Sequence, residues 1–216
     1  MTGLHVSRHP LVKIKLSRLR QQETGPAEFR QLVRALSLLL GQEATQDLPI
    51  DTVPIKTPLT ETVGYTLKTK VAVVPILRAG LGMAEGLLDL IPEAHVWHVG
   101  LYRDEETLEP RTYYNRLPLQ PESTLAIVVD PMLATGGSAV QACELLRESG
   151  IEQIRLISIL AAPEGIEKMQ TRMPGVPIFT GALDDRLNEV GYIVPGLGDA
   201  GDRQFATGQP LSLIHI

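Results

Sequence analysis

Apolar positions along this chain follow two rhythms, one helical and one of strands. Leu11, Val12, Leu16 and Leu19 form a helical stripe with Lys13, Lys15, Arg18 and Arg20 opposite. Pro10 suits the first turn, where its missing N–H is not needed. Pro26 opens a second helix, with Phe29, Leu32, Val33, Leu36, Leu39 and Leu40 on a broad apolar face and Gly41 as its expected end. These helices, within residues 1–48, are expected to cover a sheet face or an oligomer interface. Pro49 to Thr69 alternates in short runs punctuated by Pro54, Pro58 and Gly64, and reads as two strands in a hairpin.

Val71 to Leu77 is a dense apolar run ending in Arg78-Ala79-Gly80. Such a run predicts a strand buried on both faces, as in parallel sheets. A helix is expected over Leu81 to Leu90 and a strand over His95 to Tyr102. Asp104 to Arg116 is polar and acidic and reads as a long loop or β-arm, the kind of connection that often carries function. Strands follow at Thr124 to Val129, Ile154 to Ala161 and Val176 to Phe179. Between them come a loop and helix from Gly136, with Gly150 as its C-terminal stop, and a short helix over Pro163 to Arg172. This alternation predicts an α/β fold with a mainly parallel sheet. Gly181 to Gly208 is rich in glycine and acid, with little regular pattern.

Composition narrows the function. The 216 residues suit one domain, with 44% hydrophobic and 21% charged residues, as in soluble globular proteins. Aromatics are only 4%, so the core must be aliphatic. A net charge of −5 argues against a general affinity for nucleic acid or anionic membrane. No run reaches the roughly 20 apolar residues of a membrane span, and Met1 to Pro10 lacks a signal-peptide core. Cys143 is the sole cysteine, which excludes an intrachain disulfide and a cysteine metal cluster, and it reads as a buried thiol compatible with a reducing cytoplasm. His95 and His98 stand three apart on an expected strand, face opposite ways and make poor joint metal ligands.

The candidate chemistry centres on Leu125 to Ser138. An apolar strand delivers Asp130 to its C-terminal end, and a loop with Thr135, Gly136, Gly137 and Ser138 opens a helix. Ligands of open α/β sheets bind at the C-terminal strand ends. A helix N-terminus presents unpaired N–H groups and partial positive charge, which suits phosphate. The glycines admit close approach of the backbone, the hydroxyls add donors, and Asp130 is an acceptor suited to sugar hydroxyls. The lysine of a triphosphate loop and the three-glycine spacing of a dinucleotide fold are both missing.

Asp130-Pro131-Met132-Leu133-Ala134-Thr135-Gly136-Gly137-Ser138 resembles the ribose-phosphate loop of the type I phosphoribosyltransferases. Most of that family carries a second acid where this chain has Pro131, which makes it similar to the uracil branch. Three further blocks agree: Val74 to Met83, Tyr102 to Pro110 and Gly191 to Asp202. The resemblance runs from about His9 to Phe205. It implies a single phosphoribosyltransferase domain: a parallel core, a β-arm, and a small base-binding hood over residues 181–208; residues 209–216 lie beyond the resemblance, fit no element and read as an irregular tail.

The resemblance also implies roles. Arg78, Arg103 and Asp130 would serve catalysis. Arg78, Arg103, Asp199 and the whole loop from Asp130 to Ser138 would bind 5-phosphoribosyl 1-diphosphate. Ile193, Gly198, Asp199 and Ala200 would bind uracil, largely through backbone groups. Mg²⁺ would bind through the diphosphate, without direct protein ligands. A non-proline cis peptide is expected at Arg78–Ala79. Asp104, Glu105, Glu106 and Glu109 would belong to a lid that excludes water. No residue stands out as a general base for the uracil nitrogen. The resemblance further implies a cytoplasmic homodimer or higher assembly and, as in some relatives, activation by guanosine triphosphate. A transferase for another base and a non-catalytic sensor of phosphoribosyl diphosphate or RNA are the competing readings.

Overall fold

The computed structural model describes residues 3–103, 110–118 and 124–207. In chain order the elements are β1 (Leu4–Val6), α1 (Pro10–Arg20), α2 (Pro26–Thr45), β2 (Ile50–Lys56), β3 (Glu61–Leu67), β4 (Lys70–Leu77), α3 (Leu81–Leu90), β5 (His95–Val96), β6 (Val99–Arg103) and β7 (Pro110–Asn115). Then come β8 (Thr124–Val129), β9 (Met132–Leu133), α4 (Gly137–Glu148), β10 (Gln153–Ala161), α5 (Pro163–Arg172), β11 (Ile178–Leu183), β12 (Arg186–Leu187), β13 (Ile193–Val194) and α6 (Ala200–Phe205).

The main sheet runs β1-β11-β10-β8-β4-β6-β7, parallel except for β7, which returns antiparallel beside β6. Period-two alternation feeds two cores. Leu125, Ile127 and Val129 of β8 join Val71 and Val73 of β4 under α1, α2 and α3, whereas Ala126, Val128, Ala72 and Val74 face α4 and α5. Burial on both faces explains why β4 and β8 read as unbroken apolar runs. Both cores are dominated by aliphatic side chains.

From β4 the chain moves outward to β6 and β7, then returns to the other side of β4 as β8 and moves away through β10 and β11. The helix after β4 lies in one core and the helix after β8 in the other. The strand order therefore reverses between β4 and β8, which opens a crevice beyond their C-terminal ends.

Three expectations change. The helix from Pro26 does not stop at Gly41 but runs on to Thr45. Gly41 instead lets α3 approach, since a Cβ there would lie 2.3 Å from a Leu87 methyl. The strand expected over His95 to Tyr102 is broken, with Trp97 donating its N–H to the Val73 carbonyl between β5 and β6 (3.0 Å). The strand expected from Val176 starts at Ile178, because Pro177 has no N–H for the ladder and offers only its carbonyl, to Leu156 (2.9 Å). The edge strand β1 and the short elements β12, β13 and α6 were not anticipated.

The hairpin β2–β3 is a separate ribbon, antiparallel from Ile50 opposite Leu67 to Lys56 opposite Glu61. Gly150, at φ +88°, follows the end of α4 as expected. Cys143 is fully buried on α4, and burial pushes its thiol up to about 12. No helix among the described residues is long and apolar enough to cross a membrane.

Candidate active site

The crevice at the strand-order reversal holds the site. Two turns enter it from the central strands. The first follows β4 and carries Arg78, Ala79 and Gly80. A Cβ on Gly80 would sit 2.5 Å from the Val129 carbonyl oxygen and 2.8 Å from that of Ile76. Glycine at that position lets the turn lie directly against the end of β8. The Arg78 side chain is exposed, with one guanidinium nitrogen 3.7 Å from a carboxylate oxygen of Asp202. A non-proline cis peptide is present, but at Leu77–Arg78, one bond before the expected Arg78–Ala79.

The second turn is the loop from Asp130. Its backbone N–H donates to the Ile157 carbonyl (3.2 Å), which ties the loop's first residue to β10. Pro131, buried in the place of a second acid, offers its carbonyl to the N–H groups of Ile159 (3.1 Å) and Leu160 (3.0 Å). Leu133 also turns inward, into the core beneath α4 and α5. Met132 and Ala134 face the cleft. Gly136 caps α4 at φ +76°, a region that penalises side chains, and no side-chain hydrogen bond caps that helix. Its neighbour across the loop is Gly165 of α5, whose carbonyl oxygen would lie 2.9 Å from a Cβ on Gly136. Thr135, Gly137 and Ser138 occupy the loop and the first turn of α4, as expected of a phosphate cradle.

The C-terminal segment forms the opposite wall. One cleft of about 230 Å³ is lined by Ala79, Asp130, Met132 and Ala134 on one side and by Gly191 to Ile193 and Gly198 to Gly201 on the other. The structure thus brings the expected Ile193, Gly198, Asp199 and Ala200 to the expected Asp130. Ile193 buries its side chain in the first core and also lines the cleft. Asp199 caps α6, its carboxylate accepting the Asp202 N–H (2.8 Å).

Asp130 has the most perturbed carboxyl of the site. Burial pushes it up to about 7, the nearby charge of Asp199 adds to the rise, and the Met132 N–H partly offsets it. Burial thus makes this carboxyl easier to protonate than an ordinary aspartate.

Several residues of the site were missed by sequence reasoning. Tyr192 lines the cleft beside Ile193, inside a block already singled out, yet carried no assigned role. Arg20 donates to Asp184 (2.5 Å) and to the Gly196 carbonyl (2.7 Å), and Asp184 accepts the Gly196 N–H (2.9 Å). Arg203 lies over the Phe29 ring, 4.6 Å from its centroid, and donates to the carbonyls of Leu19 (2.9 Å) and Leu197 (2.8 Å). These contacts fasten the C-terminal wall to α1 and α2. Arg103 ends β6, and its side chain, like Asp104, Glu105, Glu106 and Glu109, lies outside the described residues. So does the expected tail, 209–216.

A mainly parallel sheet with a strand-end phosphate loop and a C-terminal wall over the crevice defines the type I phosphoribosyltransferase class. The sequence profile of the uracil phosphoribosyltransferases matches residues 6–207. The chain belongs to that family. Uracil phosphoribosyltransferases of Roseiflexus sp. (strain RS-1) and Macrococcus caseolyticus (strain JCSC5402) are 54% and 53% identical to it, across 96% of this chain and all of theirs. The AQ2163 protein from Aquifex aeolicus superposes with a TM-score of 0.91 at 36% identity, covering 96% of this chain and 100% of that one.

Proposed function

We propose that this chain transfers the phosphoribosyl group of 5-phosphoribosyl 1-diphosphate to uracil, giving uridine 5′-monophosphate and diphosphate. One observation carries the reading beyond family membership. The loop that leads from Asp130 through Met132 and Ala134 into the start of α4 faces a wall rich in backbone groups, Gly191 to Ile193 and Gly198 to Gly201, across one cleft. The cradle suits the 5-phosphate, because glycine backbone and the uncapped start of α4 present N–H groups. Asp130, as carboxylate, accepts hydrogen bonds from the ribose hydroxyls. Arg78, exposed at the rim with its charge facing Asp202, is free to turn its fork to the diphosphate.

The anomeric carbon loses its bond to the diphosphate oxygen and gains one to the uracil nitrogen, whose proton leaves to solvent. Positive charge develops on the sugar ring as the bond breaks, and the carboxylates of Asp130 and Asp199 face it. Ile193, Gly198 and Ala200 hold the small base by backbone edges, so much of the rate gain comes from alignment. Mg²⁺ would neutralise charge on the departing diphosphate. It fits as that group's companion, since the carboxylates of Asp130 and Asp199 share the cleft.

We further assign Arg103 to the diphosphate. A homo-oligomer in the cytoplasm, activated by guanosine triphosphate, completes the proposal and rests on the family resemblance alone. Incubation with uracil, phosphoribosyl diphosphate and Mg²⁺, with hypoxanthine and orotate in parallel, tests it. Uridine monophosphate should form from uracil. Turnover of another base in its place would overturn the assignment.

A further inference from the structure

Gln204 is fully buried near the end of α6, outside the set of cleft-lining residues. Its side-chain amide nitrogen donates to the carbonyl of Ala79 (2.9 Å), in the turn after β4, and to that of Ala200 (3.1 Å), in the opposite wall. Both alanines line the cleft. One amide group therefore spans the two halves of the site. Its orientation is fixed by chemistry, since both neighbours are acceptors and only the NH₂ end can serve them.

The other end of the amide has no matching use. Its oxygen is buried without a partner, a state that costs free energy a methionine at this position would not incur. Glycine at position 82 leaves room for that oxygen: a Cβ on Gly82 would lie 2.2 Å from it and force the amide to shift. Arg30 holds the Gln204 backbone from outside, donating to its carbonyl (2.7 Å). A residue that only filled space would carry neither the orphan oxygen nor the demand on Gly82. What the amide supplies is the donor pair.

We infer that Gln204 is a positioning residue that fixes the Arg78–Gly80 turn against the Gly198–Ala200 segment. The inference rests on the transferase reading above, in which one wall carries the diphosphate and the other the base. Both reactants must be aligned for displacement at one carbon, and a shift of about 1 Å between the walls suffices for a large loss of rate. The loss belongs in kcat, with each substrate still binding its own wall.

Two variants of the full-length protein test this, assayed beside the wild type. Gln204→Met keeps the volume and removes both donors. It should lower kcat by about 10²-fold, with KM values within about threefold and the thermal midpoint within a few degrees. Gln204→Glu keeps one donor only while its acid is protonated, and burial favours that form. Its rate relative to wild type should therefore rise as pH falls. Wild-type kcat in the Met variant would overturn the inference. So would a Glu variant no faster than the Met variant at the low-pH end of the profile, or failure of both variants to fold, which would make Gln204 a structural residue. Absence of uracil turnover in the wild type would instead strike the proposed function.

Discussion

The two walls of the cleft are built by different physics. The cradle wall grows out of the sheet: β8 runs straight into Asp130, and the loop from Pro131 to Gly137 is held by backbone bonds to β10 and by the packing of α4 and α5. The C-terminal wall has only two-residue strands and a one-and-a-half-turn helix. It is held by side chains that reach across the sequence, with Arg20, Arg203 and Gln204 each tying it to elements far earlier in the chain. The proposed phosphate site is thus built locally, from one strand and one helix. A site that must meet it at a fixed distance needs long-range polar ties.

That contrast gives predictions of decreasing size. Asp130→Ala removes the one acceptor at the centre of the cradle wall and should cost about 10³-fold in kcat/KM while the protein stays folded; steady-state kinetics with circular dichroism checks both. Wild-type-like kinetics would remove Asp130 from the mechanism. Arg20→Met strikes the other wall. The Asp184 side chain is only 5% exposed, and a buried carboxylate robbed of its partner costs about 3–5 kcal/mol. Chemical denaturation should show that loss, and the cradle-side elements should keep their hydrogen-exchange protection longer than α6. Equal loss of protection on both walls would erase the distinction.

Gly136→Ala comes next. It places a Cβ at φ +76° and 2.9 Å from the Gly165 carbonyl. The strain of the left-handed region alone is about 1–2 kcal/mol, and the rise in KM should fall on phosphoribosyl diphosphate rather than on uracil.

The last prediction is a pH dependence with a definite sign. Asp130 is raised from 3.8 to about 7 in the fold. Its ionised form is therefore disfavoured by folding, so stability drops as pH rises from about 4 through 7 and is level above. Function runs the other way: kcat/KM for phosphoribosyl diphosphate should climb through pH 7 as the carboxylate forms. Asp130→Asn should flatten the stability profile and abolish the acid limb of the kinetic one. A wild-type limb centred near pH 4 would contradict the burial that sets this carboxyl.

The same contrast explains what the sequence disclosed. The strand, loop and helix around Asp130 were legible because each determinant is a neighbour of the next: the apolar run into Asp130, the glycines, the hydroxyls and the helix stripe that follows. Arg78 to Gly80 was legible as the end of a buried strand, although the reason for Gly80, contact with Val129, lies about fifty residues away and is invisible there. In the C-terminal wall, Ile193 and Gly198 to Ala200 were found through a resemblance, not through any pattern. Gln204 and Arg203 look like ordinary polar positions of a short helix, and Arg20 looks like the solvated face of α1. Their partners are carbonyls and a carboxylate of distant segments, and no spacing announces such pairs. Gly41 was misread for the same reason, since only α3 packed against it shows that it serves contact rather than termination.

The most direct test of the whole account is a ligand-binding measurement that reads both walls at once. Titration of phosphoribosyl diphosphate with Mg²⁺, followed by uracil turnover to uridine monophosphate, should give tight binding and product in the wild type. Asp130→Ala should lose the first, and Gln204→Met should keep the first while losing most of the second. Full turnover in Gln204→Met, or undiminished phosphoribosyl diphosphate binding in Asp130→Ala, would contradict a site made of one locally built wall and one tied to it from afar.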